Sequence, residues 1–114
     1  MAIFNLKIFS DTAHHTDIDR ILGVNGNKNV PNLWIYELIE KDQDPHIYFI
    51  EIFTGLLKEK FQKLESIGVG RDNISIWAIY DYEGQFNVEY LPSDLRLLGE
   101  VGVTFCISCW ESSN

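Results

Sequence analysis

Two hydrophobic periods follow one another along this chain, and the switch between them limits its fold more than any other feature. Phe4, Leu6 and Ile8 alternate with Asn5 and Lys7, the period-two pattern of a strand that buries one face. Ile50, Phe53, Leu57, Phe61 and Leu64 recur at spacings of three and four, a stripe that only a helix gathers onto one side. A chain with both patterns buries strand faces against helix faces, which predicts an α+β two-layer sandwich. The expected form is a five-stranded, mostly antiparallel or mixed sheet with one long and two short helices packed on one face. At 114 residues, there is room for one such domain, spanning 1–114.

The first strand is expected at Ile3–Phe9. Thr16 and Asp19 have capping-box spacing ahead of a short helix over Asp17–Leu22, stopped by Gly23. Residues 25–32, rich in Asn and Gly and containing Pro31, read as a loop. Leu33–Ile39 reads as the second strand, and Asp44-Pro45 opens the long helix, expected to run from Pro45 to Ser66. Alternation returns at Asn73–Tyr80 and at Phe86–Tyr90, which together read as a hairpin across a turn at residues 81–85. A short helix around Leu95–Leu98 is expected to end at Gly99, and Val101–Cys109 reads as the last strand. Phe4-Asn5-Leu6-Lys7-Ile8 echoes Phe86-Asn87-Val88-Glu89-Tyr90, and each is followed by a short helix ending in Leu-Gly. The echo allows a duplicated strand-helix-strand unit.

Nine basic against seventeen acidic side chains leave a net charge of −8, with −4 in each half of the chain. That balance disfavours nucleic acid and anionic membranes and suits a basic protein partner. No apolar run approaches the roughly 18 residues of a membrane helix. Neither a membrane span nor a secretory leader is read, and the expected location is the cytoplasm.

Candidate chemistry is thin. Cys106 and Cys109 have Cys-x-x-Cys spacing, but on a strand they point to opposite faces, and no second cysteine pair completes a zinc site. The expected state is two reduced cysteines, with no cofactor and no bound metal. His14 and His15 lie near Asp11, Asp17 and Asp19 without the spacing that places two imidazoles on one helix face. His46 needs nothing beyond an exposed place near the start of the long helix. No Gly-x-Ser-x-Gly elbow nominates a nucleophile, so no catalytic residue is assigned. Trp34, Trp77 and Trp110 fall on strands or their ends, where packing explains them without the positive groove that nucleobase stacking requires.

The ordered features resemble a bacterial family known only as domain of unknown function 4279. The residues that carry the resemblance are Phe4-Asn5-Leu6-Lys7-Ile8, Asp17-Ile18-Asp19-Arg20-Ile21-Leu22-Gly23, Trp34, the helix after Pro45, and Leu91-Pro92-Ser93-Asp94-Leu95. Gly26 stands where that family has a glycine before its tryptophan strand. The resemblance spans nearly the whole chain and implies a small bacterial α+β domain with no established activity and no catalytic residues to carry over.

Small size, dispersed negative charge, tyrosine content and the lack of a catalytic constellation together predict a non-enzymatic protein-interaction module. The specific expectation is an immunity-type inhibitor of a basic protein, with Asp81, Tyr82, Glu83 and Tyr36 as contact residues, tyrosine providing area and carboxylates steering. The alternative is a small-molecule-binding or hydrolytic domain with a pocket near His14 and His15.

Overall fold

The computed structural model describes residues 1–112. Its sheet has five strands, β1 (Ala2–Phe9), β2 (Asn27–Val30), β3 (Leu33–Glu40), β4 (Ile74–Tyr82) and β5 (Thr104–Glu111). They lie in the order β2-β3-β1-β4-β5, antiparallel throughout except for the parallel pair β4–β5. Four helices, α1 (His15–Leu22), α2 (Phe49–Leu57), α3 (Phe61–Ser66) and α4 (Pro92–Val101), cover one face. The α+β two-layer sandwich with a mixed five-stranded sheet is therefore present.

β1 is the central strand, and its alternation decides which face is dry. Ala2, Phe4, Leu6 and Ile8 are buried. Leu6 stands in register with Tyr36 on β3 and Ile76 on β4, so their side chains share the covered face. Ile18, Phe49, Ile50, Phe53, Leu57, Leu64, Leu98 and Val101 close over them from the helices, in one hydrophobic cluster. Phe4 and Phe49 stack at 4.1 Å between ring centroids, with Phe53 edge-on to Phe49 at 6.2 Å.

Several expected elements differ. The loop over 25–32 contains the edge strand β2, joined to β3 through Pro31-Asn32, with Asn32 at φ 62°. All four β2 side chains are exposed, so there is no buried face to impose an apolar alternation. The long helix is two helices. Glu59 adopts φ 65° between them, and Pro45 lies ahead of α2 rather than inside it. The break keeps Phe53, Leu57 and Leu64 on the same buried side, so apolar spacing alone could not reveal it. A straight helix over 45–66 would be about 33 Å long, overrunning strands of about 26 Å.

Phe86–Tyr90 is not a strand. Both edges of β4 are already taken, by β1 and by β5, which leaves no backbone groups for a hairpin partner. The echo between residues 4–8 and 86–90 is therefore not a structural repeat. α4 continues through Gly99 and ends at Gly102, whose φ of 65° closes the helix, so the last strand begins at Thr104 rather than Val101. α1 starts at His15, and the Thr16/Asp19 capping box does not form. Asp11 instead accepts from the Ala13 amide at 3.0 Å in the 3-10 turn that leads into the helix.

Asp19 is used elsewhere. Its Oδ1 accepts from the Gly26 amide and from Trp34 Nε1, each at 2.9 Å, and its Oδ2 pairs with Lys28 Nζ. This knot ties α1 to β2 and β3, and Trp34 within it is fully buried. Burial opposes the charge on Asp19, but the hydrogen bonds from Gly26, Lys28 and Trp34 outweigh it and hold the carboxyl below the usual carboxylate range. Gly26 has to be glycine, because a Cβ there would lie 2.2 Å from the Trp34 ring.

Candidate functional site

The end of the sheet where β1 begins and β3 and β4 finish opens into a cleft of about 380 Å³. Phe4, Tyr80 and Phe86 line its apolar side, and Glu40, Asp42, Asp44 and Asp81 line its acidic side together with Lys41, His46 and Met1. The residues at 86–90, freed from any strand, form the roof. Phe86 lies 4.9 Å from the Tyr80 ring and 5.3 Å from Tyr82, which holds this connection against β4.

Backbone donors and cations fix the acidic side. Glu40 Oε1 accepts from the Ile47 amide at 2.7 Å and lies 3.1 Å from His46 Nδ1. Asp44 Oδ2 accepts from the Lys41 amide at 2.9 Å, and the Met1 amino group donates to Asp42 Oδ1 at 2.8 Å. That last hydrogen bond raises the affinity of the amino group for its proton and lowers that of Asp42. Asp81 is hydrogen-bonded by the Ser112 hydroxyl.

A smaller cavity of about 60 Å³ adjoins, sharing His46, Tyr80 and Val88 and adding Tyr90, Glu89 and Asp94. The hydroxyls of Tyr80 and Tyr90 meet at 2.9 Å. Burial, reinforced by this hydrogen bond, pushes the Tyr80 phenol far above its usual range, and burial raises Tyr90 as well. Both phenols therefore stay neutral, and the pair can offer a hydrogen bond but no charge. Acidic side chains over an aromatic wall suit a cationic group with an apolar stem, the chemistry of a lysine or arginine side chain.

The expected contact residues divide between two places. Asp81 lines the acidic cleft, Tyr82 packs on its roof through Phe86, and Glu83 is exposed at the start of the roofing connection. Tyr36 lies mid-strand on β3, half-buried beneath the helices with its ring edge-on to Phe53 at 6.2 Å. His15 is buried and its Nε2 hydrogen-bonds the Ser10 carbonyl at 3.2 Å, while His14 pairs with Asp17 at 3.4 Å. Neither histidine lines the clefts described here. Cys106 and Cys109 are free thiols. Among the described residues, no cluster of three or more His, Cys, Asp or Glu side chains is placed to hold a metal ion, and no helix is long and apolar enough to cross a membrane.

Sequence reasoning missed Glu40, Asp42 and Asp44, of which only Asp44 is read at all, as the residue that opens the long helix with Pro45. Their alignment with Tyr80 depends on β1 lying between β3 and β4, which places the ends of those strands side by side. A larger cleft of about 440 Å³ lies between α2 and α4, with three carboxylates against two cations. Lys58 and Arg71 stand there among Glu51, Glu59 and Glu100, and Arg71 is already committed to the Val101 carbonyl and the Phe61 ring.

Comparisons with protein-family models, with curated proteins and with solved structures find no match.

Proposed function

We propose that the chain is a cytoplasmic bacterial protein-interaction module without enzymatic activity, an immunity-type inhibitor that binds and occludes a basic protein. The observation that carries this reading is the cleft at the β1, β3 and β4 ends, where four carboxylates flank an aromatic wall. The overall charge of −8 steers a basic partner toward the chain, and the cleft receives one of its cationic side chains. Asp81, Tyr82 and Glu83 supply the adjoining contact edge.

The test is affinity capture from a lysate of the source cell at low and high salt. It compares the natural chain with a variant carrying Glu40→Gln, Asp42→Asn, Asp44→Asn and Asp81→Asn. The reading expects a basic protein that is retained at low salt, released at high salt and lost with the variant, whose association slows by about tenfold or more. Equal recovery by both chains would sink the cleft as the site, and recovery of no basic protein would sink the function.

A further inference from the structure

The helices cover one face of the sheet, and the other face is uncovered, with an apolar row at one end and polar side chains beyond it. Register places Ile39, Ile3 and Ile79 side by side across β3, β1 and β4, with Glu37, Asn5 and Trp77 in the next row and Ile35, Lys7 and Ser75 beyond it. None of these residues belongs to the hydrophobic cluster beneath the helices. Phe9, 57% exposed, Ile39, 46%, and Trp110, 50%, all project on this face. We propose that this face binds a second copy of the same chain, sheet against sheet.

Self-complementarity singles out this occupant. A two-fold axis lying between the sheets and running along β1 exchanges the β3 side of one copy with the β4 side of the other. Ile39 then meets the partner's Ile79, and Ile3 meets the partner's Ile3. Lys7 does not point straight out but rests its ammonium on Trp77, 4.2 Å from the ring centroid, on the β4 side. The same rotation carries Glu37 of the partner onto that position, so a lone cation on one side of β1 meets a lone anion from the other side. Asn5 lies beside the axis but is only 6% exposed, so the apolar and charged side chains around it make the contact.

Charge and area agree. Of the chain's nine basic and seventeen acidic side chains, only Lys7, Glu37 and Asp81 project from the strands on this face, so the −8 charge is carried elsewhere. Four strands of ~26 Å and the four-residue β2 of ~13 Å, at ~4.8 Å spacing, give a flat projection of about 560 Å². Side-chain relief brings this into the ~600–1,000 Å² per partner typical of a stable interface. Stacked sheets pack in this aligned manner with strand directions about 30° apart.

The acidic cleft is lined by residues of the helical side apart from Asp81, so the dimer does not depend on the proposed function. The two also respond differently to salt. A basic partner is released by salt, whereas screening relieves repulsion between two −8 chains.

Sedimentation of the full chain across a wide concentration range is the test, with circular dichroism to confirm that each variant folds. The expected mass is about 26 kDa, twice the 13.2 kDa of one chain. Ile39→Glu, at an exposed position, should halve it. Lys7→Glu and Glu37→Lys should each weaken the dimer through like-charge contacts, while an equimolar mixture of these two chains should restore it because every pair across the axis is then opposite in sign. A natural chain that stays at 13.2 kDa throughout would overturn the proposal and leave the face to a different partner. A dimer indifferent to Ile39→Glu, or variants that fail to recover on mixing, would also overturn it.

Discussion

Asp19→Ala is expected to cost about 2–5 kcal/mol of folding free energy, because truncation orphans two donors and a buried donor without a partner costs roughly 1–3 kcal/mol. The donors are the Gly26 amide and the indole Nε1 of Trp34, a side chain that is fully buried. For a chain of this length the total stability is about 6–17 kcal/mol, so the change is a large fraction of it. At a slope of about 1.5 kcal/mol per molar urea, the unfolding midpoint should fall by roughly 1–3 M. A double-mutant cycle isolates the indole contact. Trp34→Phe removes the donor, so Asp19→Ala should cost about 1–3 kcal/mol less in that background. Lys28, at the solvent side of the knot, should matter by less than about 1 kcal/mol. The knot also has a pH signature. Asp19 is held below its unfolded value of about 3.9, so its contribution is complete above that value and is lost as pH falls through the lower folded value. The natural chain should therefore lose more stability on acidification than Asp19→Asn does. An Asp19→Ala cost below about 1 kcal/mol, or one equal in both backgrounds, would refute the reasoning.

Gly26→Ala places a methyl group 2.2 Å from the Trp34 ring and should destabilise the chain by at least about 1–3 kcal/mol; an unchanged urea midpoint would show that β2 shifts freely away from Trp34. Glu59→Gly relieves a left-handed backbone at φ 65° and should raise stability by roughly 0.5–1 kcal/mol in the same assay. A lower midpoint for that variant would mean that the Glu59 side chain contributes more than its backbone costs.

What could be read from sequence depended on burial. Phe4, Leu6 and Ile8 announce β1 because one of its faces is dry, and Ile50, Phe53 and Leu57 announce α2 for the same reason. β2 left no such trace because it is an edge strand with every side chain in water. Phe86–Tyr90 shows the reverse error. It alternates like a strand, yet Phe86 packs on Tyr80 and Tyr82 and Tyr90 bonds Tyr80, so its apolar residues are accounted for without any ladder.

The acidic cleft follows the same division. Asp81, Tyr82 and Glu83 could be nominated from a turn-like segment, but their setting could not, because Glu40 and Asp42 reach them only through the β3-β1-β4 strand order. By itself the sequence determined the two-layer class, the dry face of β1 and the net negative charge, since these follow from local periods and residue counts. Tertiary structure alone decided which edges of β4 were occupied, where the helix stripe broke, how Asp19 came to hold Trp34, and which face of the sheet stayed uncovered. Each of those depends on which segment arrives beside which, and no local pattern encodes that.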